Sequence, residues 1–250
     1  ILGNLKDNYK KQEFDKINYK KFNELEQYIL HKLFEIDRSV KESLKNYNFH
    51  KLYKEIFNFC TLDLSSFYFD IRKDTLYCDS LNSKKRKDCT IVLNIILESL
   101  LKWFAPILVF TTEEIYSLIN KSEESIHEHS FVEIPRNWRN TQLSEKWKKL
   151  FKIKQEANIA IEKKRSNKEI GSSLEAELKI TADSNKFDLL EGLDLEEYFI
   201  TSKATKIKSK KNEELKIEVN KSKGTKCDRC WKILDKKCVR CEKAVKEIAR

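Results

Sequence analysis

The 250-residue chain contains no methionine, four glycines and two prolines. A translation product begins with methionine, and Ile1 is too large to be the residue that initiator removal usually exposes. The sequence is therefore expected to be a piece of a longer protein. So few glycines and prolines argue against a turn-rich β fold and favour long helices. They also leave no material for a phosphate-cradling glycine loop. No run approaches the roughly 20 apolar residues of a membrane span, and no secretory leader is visible. A persuasive nucleophile–base constellation is missing too, so no catalytic residue is assigned and the chain is expected to bind rather than to catalyse.

Hydrophobic residues make up 40% and charged residues 36% of the chain, enough apolar material for a helical core. The net charge is +10, and it is unevenly placed: residues 201–250 hold 17 of the 50 Lys/Arg but 7 of the 40 Asp/Glu. A polyanion partner should therefore be sought at that end. Cys60, Cys78 and Cys89 are scattered, whereas the other four of the seven cysteines crowd into residues 227–241. That distribution fits a reducing cytosol rather than a disulfide framework.

The first two thirds of the chain carry helical periodicity. Phe22, Leu25, Ile29, Leu33, Ile36, Val40 and Leu44 step by three and four. After a break at Asn46–Asn48, with Asn48 as N-cap, the spacing predicts a helix from Phe49 to Arg72 with Leu52, Ile56, Phe59, Leu64, Phe67 and Ile71 inward. Residues 79–88 read as a polar connection, with Lys84-Lys85-Arg86-Lys87 a solvated loop. Cys89, Val92, Leu93, Ile96, Leu97, Leu100, Leu101 and Phe104 form a broad stripe, as in a central bundle helix ended by Pro106. Thr111-Thr112-Glu113-Glu114 has capping-box spacing and predicts a short helix to Ile119. Residues 120–140 look irregular, and His127-Glu128-His129 within them reads as a surface turn. A helix over Leu143–Lys164 places Trp147, Leu150, Phe151, Lys154, Ala157 and Ile161 on one side. Beyond Gly171 the period shortens. Leu174–Ile180 and Leu215–Val219 alternate as half-buried strands, Tyr198–Thr201 is a third strand candidate, and 185–193 a helix between them. The expected architecture is mainly α: a helical bundle over 1–140, a connecting helix over 141–167, a small α+β unit over 168–222 and a metal module over 223–250.

The chemistry lies in Cys227-Asp228-Arg229-Cys230 and Cys238-Val239-Arg240-Cys241. Two residues between cysteines let both sulfurs of a knuckle face one point, and two knuckles supply a tetrahedral set suited to one Zn²⁺. Protein would fill all four positions, so the ion would be structural and no activated water would have a place. Redox-active pairs or an iron–sulfur centre are the alternatives. The segment is too small for a core of its own, so metal binding should supply its folding energy, roughly 10–16 kcal/mol apparent for such sites. Trp231 either stacks on an unpaired base or covers the knuckle. Lys226, Arg229, Lys232, Arg240 and Lys243 are candidate phosphate contacts.

Several segments resemble one family. Leu30–Leu33, Tyr47–Tyr53, Asn58–Tyr68, Lys73–Cys78, Phe104–Leu108 and Phe110–Ile115 are similar to the anticodon-binding helical domain of the isoleucyl-tRNA synthetases. The valine and leucine enzymes, which are related class I synthetases, share parts of that pattern. Glu169–Glu177 and Cys227–Trp231 with the second cysteine pair look like the bacterial isoleucine enzyme, whose terminal zinc module those relatives usually lack. The resemblance implies a cytoplasmic, monomeric ATP-dependent ligase that charges the isoleucine acceptor tRNA. ATP and Mg²⁺ would be used by a catalytic domain bearing His-Ile-Gly-His and Lys-Met-Ser-Lys-Ser motifs, which this sequence does not contain; nor does it contain an editing domain. Because the family's module reaches the anticodon loop, the resemblance points to Trp231 and Arg229 as RNA contacts. The seven residues between the knuckles are fewer than the family usually has, which shortens the loop that carries further contacts. A zinc-ribbon regulator binding duplex DNA, and a helical scaffold with a structural zinc, are the readings from other classes.

Overall fold

The computed structural model describes residues 1–5, 9–120, 124–209 and 215–248, apart from the side chain of Ile248. Residues 121–123, inside the stretch expected to be irregular, lie outside the described residues. Two compact units emerge, Ile1–Tyr77 with Leu81–Thr141, and Cys78–Ser80 with Gln142–Arg250.

The first unit is helical. A short α1 (Leu2–Leu5) is followed by α2 (Glu24–Lys45), α3 (Phe49–Asn58), α4 (Asp70–Cys78, whose last residue belongs to the other unit), α5 (Lys84–Phe104) and α6 (Val109–Ile119). The stripe of α2 buries Leu25, Ile29, Leu33 and Val40. Asn48 caps α3, its side chain accepting from Lys51 N at 3.0 Å. All six residues expected to face inward from Leu52 to Ile71 are buried, but the helix is not a uniform α-helix: Phe59–Phe69 is a π-helix joining α3 to α4. The step of five between Phe59 and Leu64 is its visible sign, because i→i+5 bonding widens the turn and brings both residues to one side.

α5 is buried around most of its circumference, which suits a central helix. It starts earlier than its apolar stripe. Ser83 Oγ accepts from Arg86 N at 3.2 Å, so the charge run expected in a loop forms the first helical turn instead. The capping box at Thr111 does not form either. Helix α6 begins two residues sooner, Thr112 Oγ1 donates back to Leu108 O at 3.0 Å, and Glu113 accepts from Ser125 Oγ at 2.7 Å and Ile126 N at 3.0 Å. Glu113 thus fastens the loop that follows the helix.

Within this unit Arg72 meets Glu26 through Nε and Nη2, each 2.6 Å from a carboxylate oxygen, with both side chains buried. Tyr68 OH donates to the same carboxylate at 3.3 Å. Trp103 Nε1 donates to Asp37 at 3.3 Å, and Lys41 closes on Asp37 at 2.9 Å.

The second unit contains α7 (Thr141–Ser166, whose first residue belongs to the other unit), β1 (Ala176–Ala182), α8 (Ser184–Leu189), α9 (Leu195–Phe199), β2 (Lys203–Lys208), β3 (Lys216–Lys221), β4 (Thr225–Lys226), β5 (Ile233–Leu234) and α10 (Val239–Ile248). The order β2-β1-β3 makes a mixed sheet: β1 runs parallel to β2, with Leu178 beside Ala204, and antiparallel to β3, with Leu178 beside Val219. The parallel pair needs a crossover, which α8 and α9 provide. The strand expected over Tyr198–Thr201 is overturned. Asp194 accepts from Glu197 N at 3.1 Å and starts α9, and Ile200 then adopts φ +57 and closes it. Local capping chemistry outweighs the β preference of Tyr-Phe-Ile-Thr. Lys154 of α7, expected inward, is buried; its Nζ donates to Tyr198 O and lies 4.9 Å from that ring's centre.

Candidate functional site

Residues 222–241 are built by backbone bonds before any metal is considered. Strand β4 pairs with β5, Thr225 opposite Leu234. Gly224 permits this at φ +129, where a Cβ would sit 2.3 Å from Leu234 O. The first knuckle is closed by Trp231 N donating to Cys227 O and by Cys227 N donating to Lys232 O, each at 2.9 Å. The second is set by α10: Cys238 precedes it, and Glu242 N donates to Cys238 O at 3.0 Å, so Cys241 lies in the first turn.

The four sulfurs of Cys227, Cys230, Cys238 and Cys241 lie within 4.8 Å of one another, and Cys230 and Cys238 are 3.9 Å apart. Metal–sulfur bonds of about 2.3 Å in a tetrahedron separate sulfurs by about 3.8 Å. The donor set therefore fits, and could hold, a metal ion. The thiols are not equivalent. Burial works against the Cys227 thiolate, but backbone N–H groups of Cys230 and Arg229 donate to it and bring its pKa down to about 7. Burial raises Cys230 and Cys241, and the hydrogen bonds that the Cys241 thiol donates to Cys238 and Cys230 raise it further. A cation at the centre reverses such upward shifts by stabilising every thiolate.

Cys78, which looked unrelated in sequence, packs against this cluster with Cys230 and Cys241. Its Sγ donates to Arg229 O at 3.8 Å. The next two residues also reach the module: Asp79 Oδ1 lies 3.3 Å from Arg240 Nη1, and Ser80 Oγ bonds Glu247. No local pattern in sequence could have exposed this, because the partners lie more than 150 positions apart.

The six residues singled out as RNA contacts are placed differently from one another. Trp231 is 60% exposed. It is not the core residue of its knuckle, and its φ of +62 holds the ring outward in a conformation that costs a bulky residue about 1–3 kcal/mol. Lys226 is exposed, with its Nζ 5.9 Å from the Trp231 ring centre. Lys243 is exposed on α10. Arg229 is half-buried, Lys232 lies 3.6 Å from Glu196, and Arg240 is turned to Asp79. A groove of about 830 Å³ opens beside the cysteines, and Lys236, Lys237 and Lys246 line it together with Lys226 and Arg229, alongside the acids Asp228, Asp235 and Glu242. The last three lysines were hidden in the general lysine excess. Elsewhere, His129 Nε2 lies 2.6 Å from Tyr116 OH, so the His127–His129 turn is spent on packing α6.

Among the described residues no helix is long and apolar enough to cross a membrane. Residues 26–180 match the family model described as the anticodon-binding domain of tRNA ligase. The isoleucine--tRNA ligase of Pelagibacter ubique (strain HTCC1062) is 51% identical over 240 residues, covering 96% of this chain and 26% of that protein. Those of Agrobacterium fabrum (strain C58 / ATCC 33970) and Caldanaerobacter subterraneus subsp. tengcongensis are 38% and 35% identical, over 88% and 92% of this chain and 24% and 26% of theirs. The chain thus spans about a quarter of the length of the curated relatives it matches. With more than half of its residues inside the family match and isoleucine--tRNA ligases as its relatives, the chain belongs to the anticodon-binding domain family of tRNA ligases.

Proposed function

We propose that this chain is the tRNA-recognition portion of an ATP-dependent isoleucine–tRNA ligase, and that its partner is the isoleucine acceptor tRNA. The chain itself carries no part of the adenylation chemistry, which uses ATP and Mg²⁺ in a catalytic domain outside this sequence; the parent enzyme acts in the cytoplasm as a monomer. One Zn²⁺ sits in the Cys227, Cys230, Cys238 and Cys241 set. Four thiolates complete its shell, so it supplies folding energy rather than a nucleophile.

The observation that carries this reading is the exposed Trp231 ring beside Lys226, a lysine that also lines the groove next to the cysteines. Unpaired anticodon bases present π faces for an aromatic ring, and their phosphates suit Lys226, Arg229, Lys232, Arg240 and Lys243. Phosphate contacts position the RNA, and base contacts specify it.

The test is equilibrium binding of the zinc-loaded chain to two tRNAs that differ only in the anticodon. Preference for the isoleucine anticodon, lost on chelation, is the expected result. Trp231→Ala should weaken binding by roughly 1–3 kcal/mol. About five phosphate contacts give a log–log salt slope near −3.5 at roughly 0.7 per contact. Equal binding of both tRNAs would remove anticodon reading from this module, and unchanged affinity of the Trp231 variant would remove the ring from the contact.

A further inference from the structure

Five cysteines, one more than a tetrahedral metal shell takes, meet in one cluster. Cys78, the last residue of α4, is buried together with Cys230 and Cys241, and Cys227 and Cys238 pack against these three. Two contacts set Cys78 between the knuckles. Its own Sγ donates to Arg229 O at 3.8 Å, one residue before Cys230. The neighbouring Asp79 Oδ1 lies 3.3 Å from Nη1 of Arg240, one residue before Cys241. Ser80 Oγ bonds Glu247 on α10. Residues 78–80 belong to the same compact unit as both knuckles, so the fold of that unit holds the fifth thiol against the set.

We infer that Cys78 is a reserve ligand of this metal site, which takes the place of Cys230 when that thiolate is lost. The inference rests on the reading of the four cysteines as a Zn²⁺ site and adds to it a residue outside the C-x-x-C pattern. Zn²⁺ has no geometric preference from its d electrons and can pass through five-coordination. A thiol already against the set can therefore enter as another sulfur leaves. In that exchange Cys78 Sγ gives its proton to water and forms a metal–sulfur bond while the bond to the departing sulfur breaks. The shell again holds four thiolates, with its charge unchanged. Asp79 and Ser80 seat the module through polar contacts. Sulfur at position 78 adds a soft donor, which an apolar side chain of similar size would not. Because the metal supplies the folding energy of the module, a fifth donor keeps the segment folded after one ligand has been oxidised or alkylated.

The test titrates the full chain with Co²⁺, a tetrahedral probe whose sulfur-to-metal charge-transfer absorption grows with each thiolate bound. The Cys230→Ala chain should bind Co²⁺ with the absorption of four thiolates. Adding Cys78→Ala should reduce this to three and weaken binding by more than about 100-fold, because a residue that only supports ligands from outside the shell costs about 10- to 100-fold. Cys78→Ala alone, with Cys230 present, should stay within that smaller range. Alkylation by iodoacetamide, read by peptide mass spectrometry, gives a second signal: in the Cys230→Ala chain Co²⁺ should protect Cys78. If the unaltered chain binds Co²⁺ but the single and double variants share one affinity and one spectrum, or the metal leaves Cys78 as reactive as before, Cys78 only packs, and the four-cysteine site stands without it. If the unaltered chain binds neither Co²⁺ nor Zn²⁺, both readings fall.

Discussion

Arg240 Nη1 lies 3.3 Å from Asp79 Oδ1, although the two residues are 161 positions apart. Asp79 is the middle of three consecutive residues that each hold a different part of the four-cysteine module: Cys78 the first knuckle, Asp79 the second, Ser80 the terminal helix. The module is therefore seated by side chains that it does not itself encode. The pair is partly exposed, with side-chain exposures of 35% for Arg240 and 12% for Asp79. Its contribution should be about 1 kcal/mol or less. Asp79→Asn and Arg240→Gln, made singly and together and followed by urea unfolding of the metal-loaded chain, should show a coupling of roughly 0.5–1 kcal/mol. Strict additivity would mean that the two side chains do not support each other.

Replacing Cys238 by Ser should abolish tight zinc binding and disorder residues 223–248, because the segment has too little apolar surface to fold unaided. The loss of far-UV ellipticity should be limited to about the contribution of α10, ten residues of the chain. Metal content by atomic spectroscopy and circular dichroism on one sample provide the check. Collapse of helicity throughout would contradict an independent helical unit.

Within that unit the Glu26–Arg72 pair is fully desolvated and bidentate. Removing one partner strands a buried charge, so Arg72→Met should cost about 3–5 kcal/mol. Replacing Glu26 and Arg72 together by apolar residues of similar size should cost much less. Thermal or denaturant melts decide it; a single-variant loss below about 1 kcal/mol would show that the pair is hydrated in solution.

Glu35 gives the fold a pH response. His31 Nδ1 accepts from Asn140 N at 3.1 Å, which leaves the ring proton on Nε2, 3.4 Å from Glu35. That hydrogen bond, opposed by partial burial and helped by Lys32, lowers the Glu35 pKa to about 2. A carboxylate with a lowered folded pKa stabilises above its unfolded value, and that stabilisation is lost as pH falls towards the folded one. Glu35→Gln should therefore lower stability at neutral pH, remove the loss between about pH 4.5 and 2, and leave the two proteins alike at the acid end. An equal loss across that range in both proteins would sever Glu35 from the acid response.

The sequence by itself determined the helices, because burial needs residues three and four apart, and Leu52, Ile56 and Phe59 or Leu25, Ile29 and Leu33 state that directly. It also determined the cysteine cluster, since a C-x-x-C knuckle is closed by hydrogen bonds only a few residues long. Misreadings arose where two local signals competed: capping by Asp194 against the β preference of Tyr198–Thr201, or Ser83 starting α5 ahead of its apolar stripe. Only the tertiary structure decided which charges have a carboxylate beside them within the chain. Lys226 and Lys243 face solvent while Arg240 is turned to Asp79, and Cys78 lies against the four-cysteine cluster. Sequence encodes short-range geometry in its periods and spacings, whereas a contact across 150 residues leaves no period and is fixed only when packing brings its ends together.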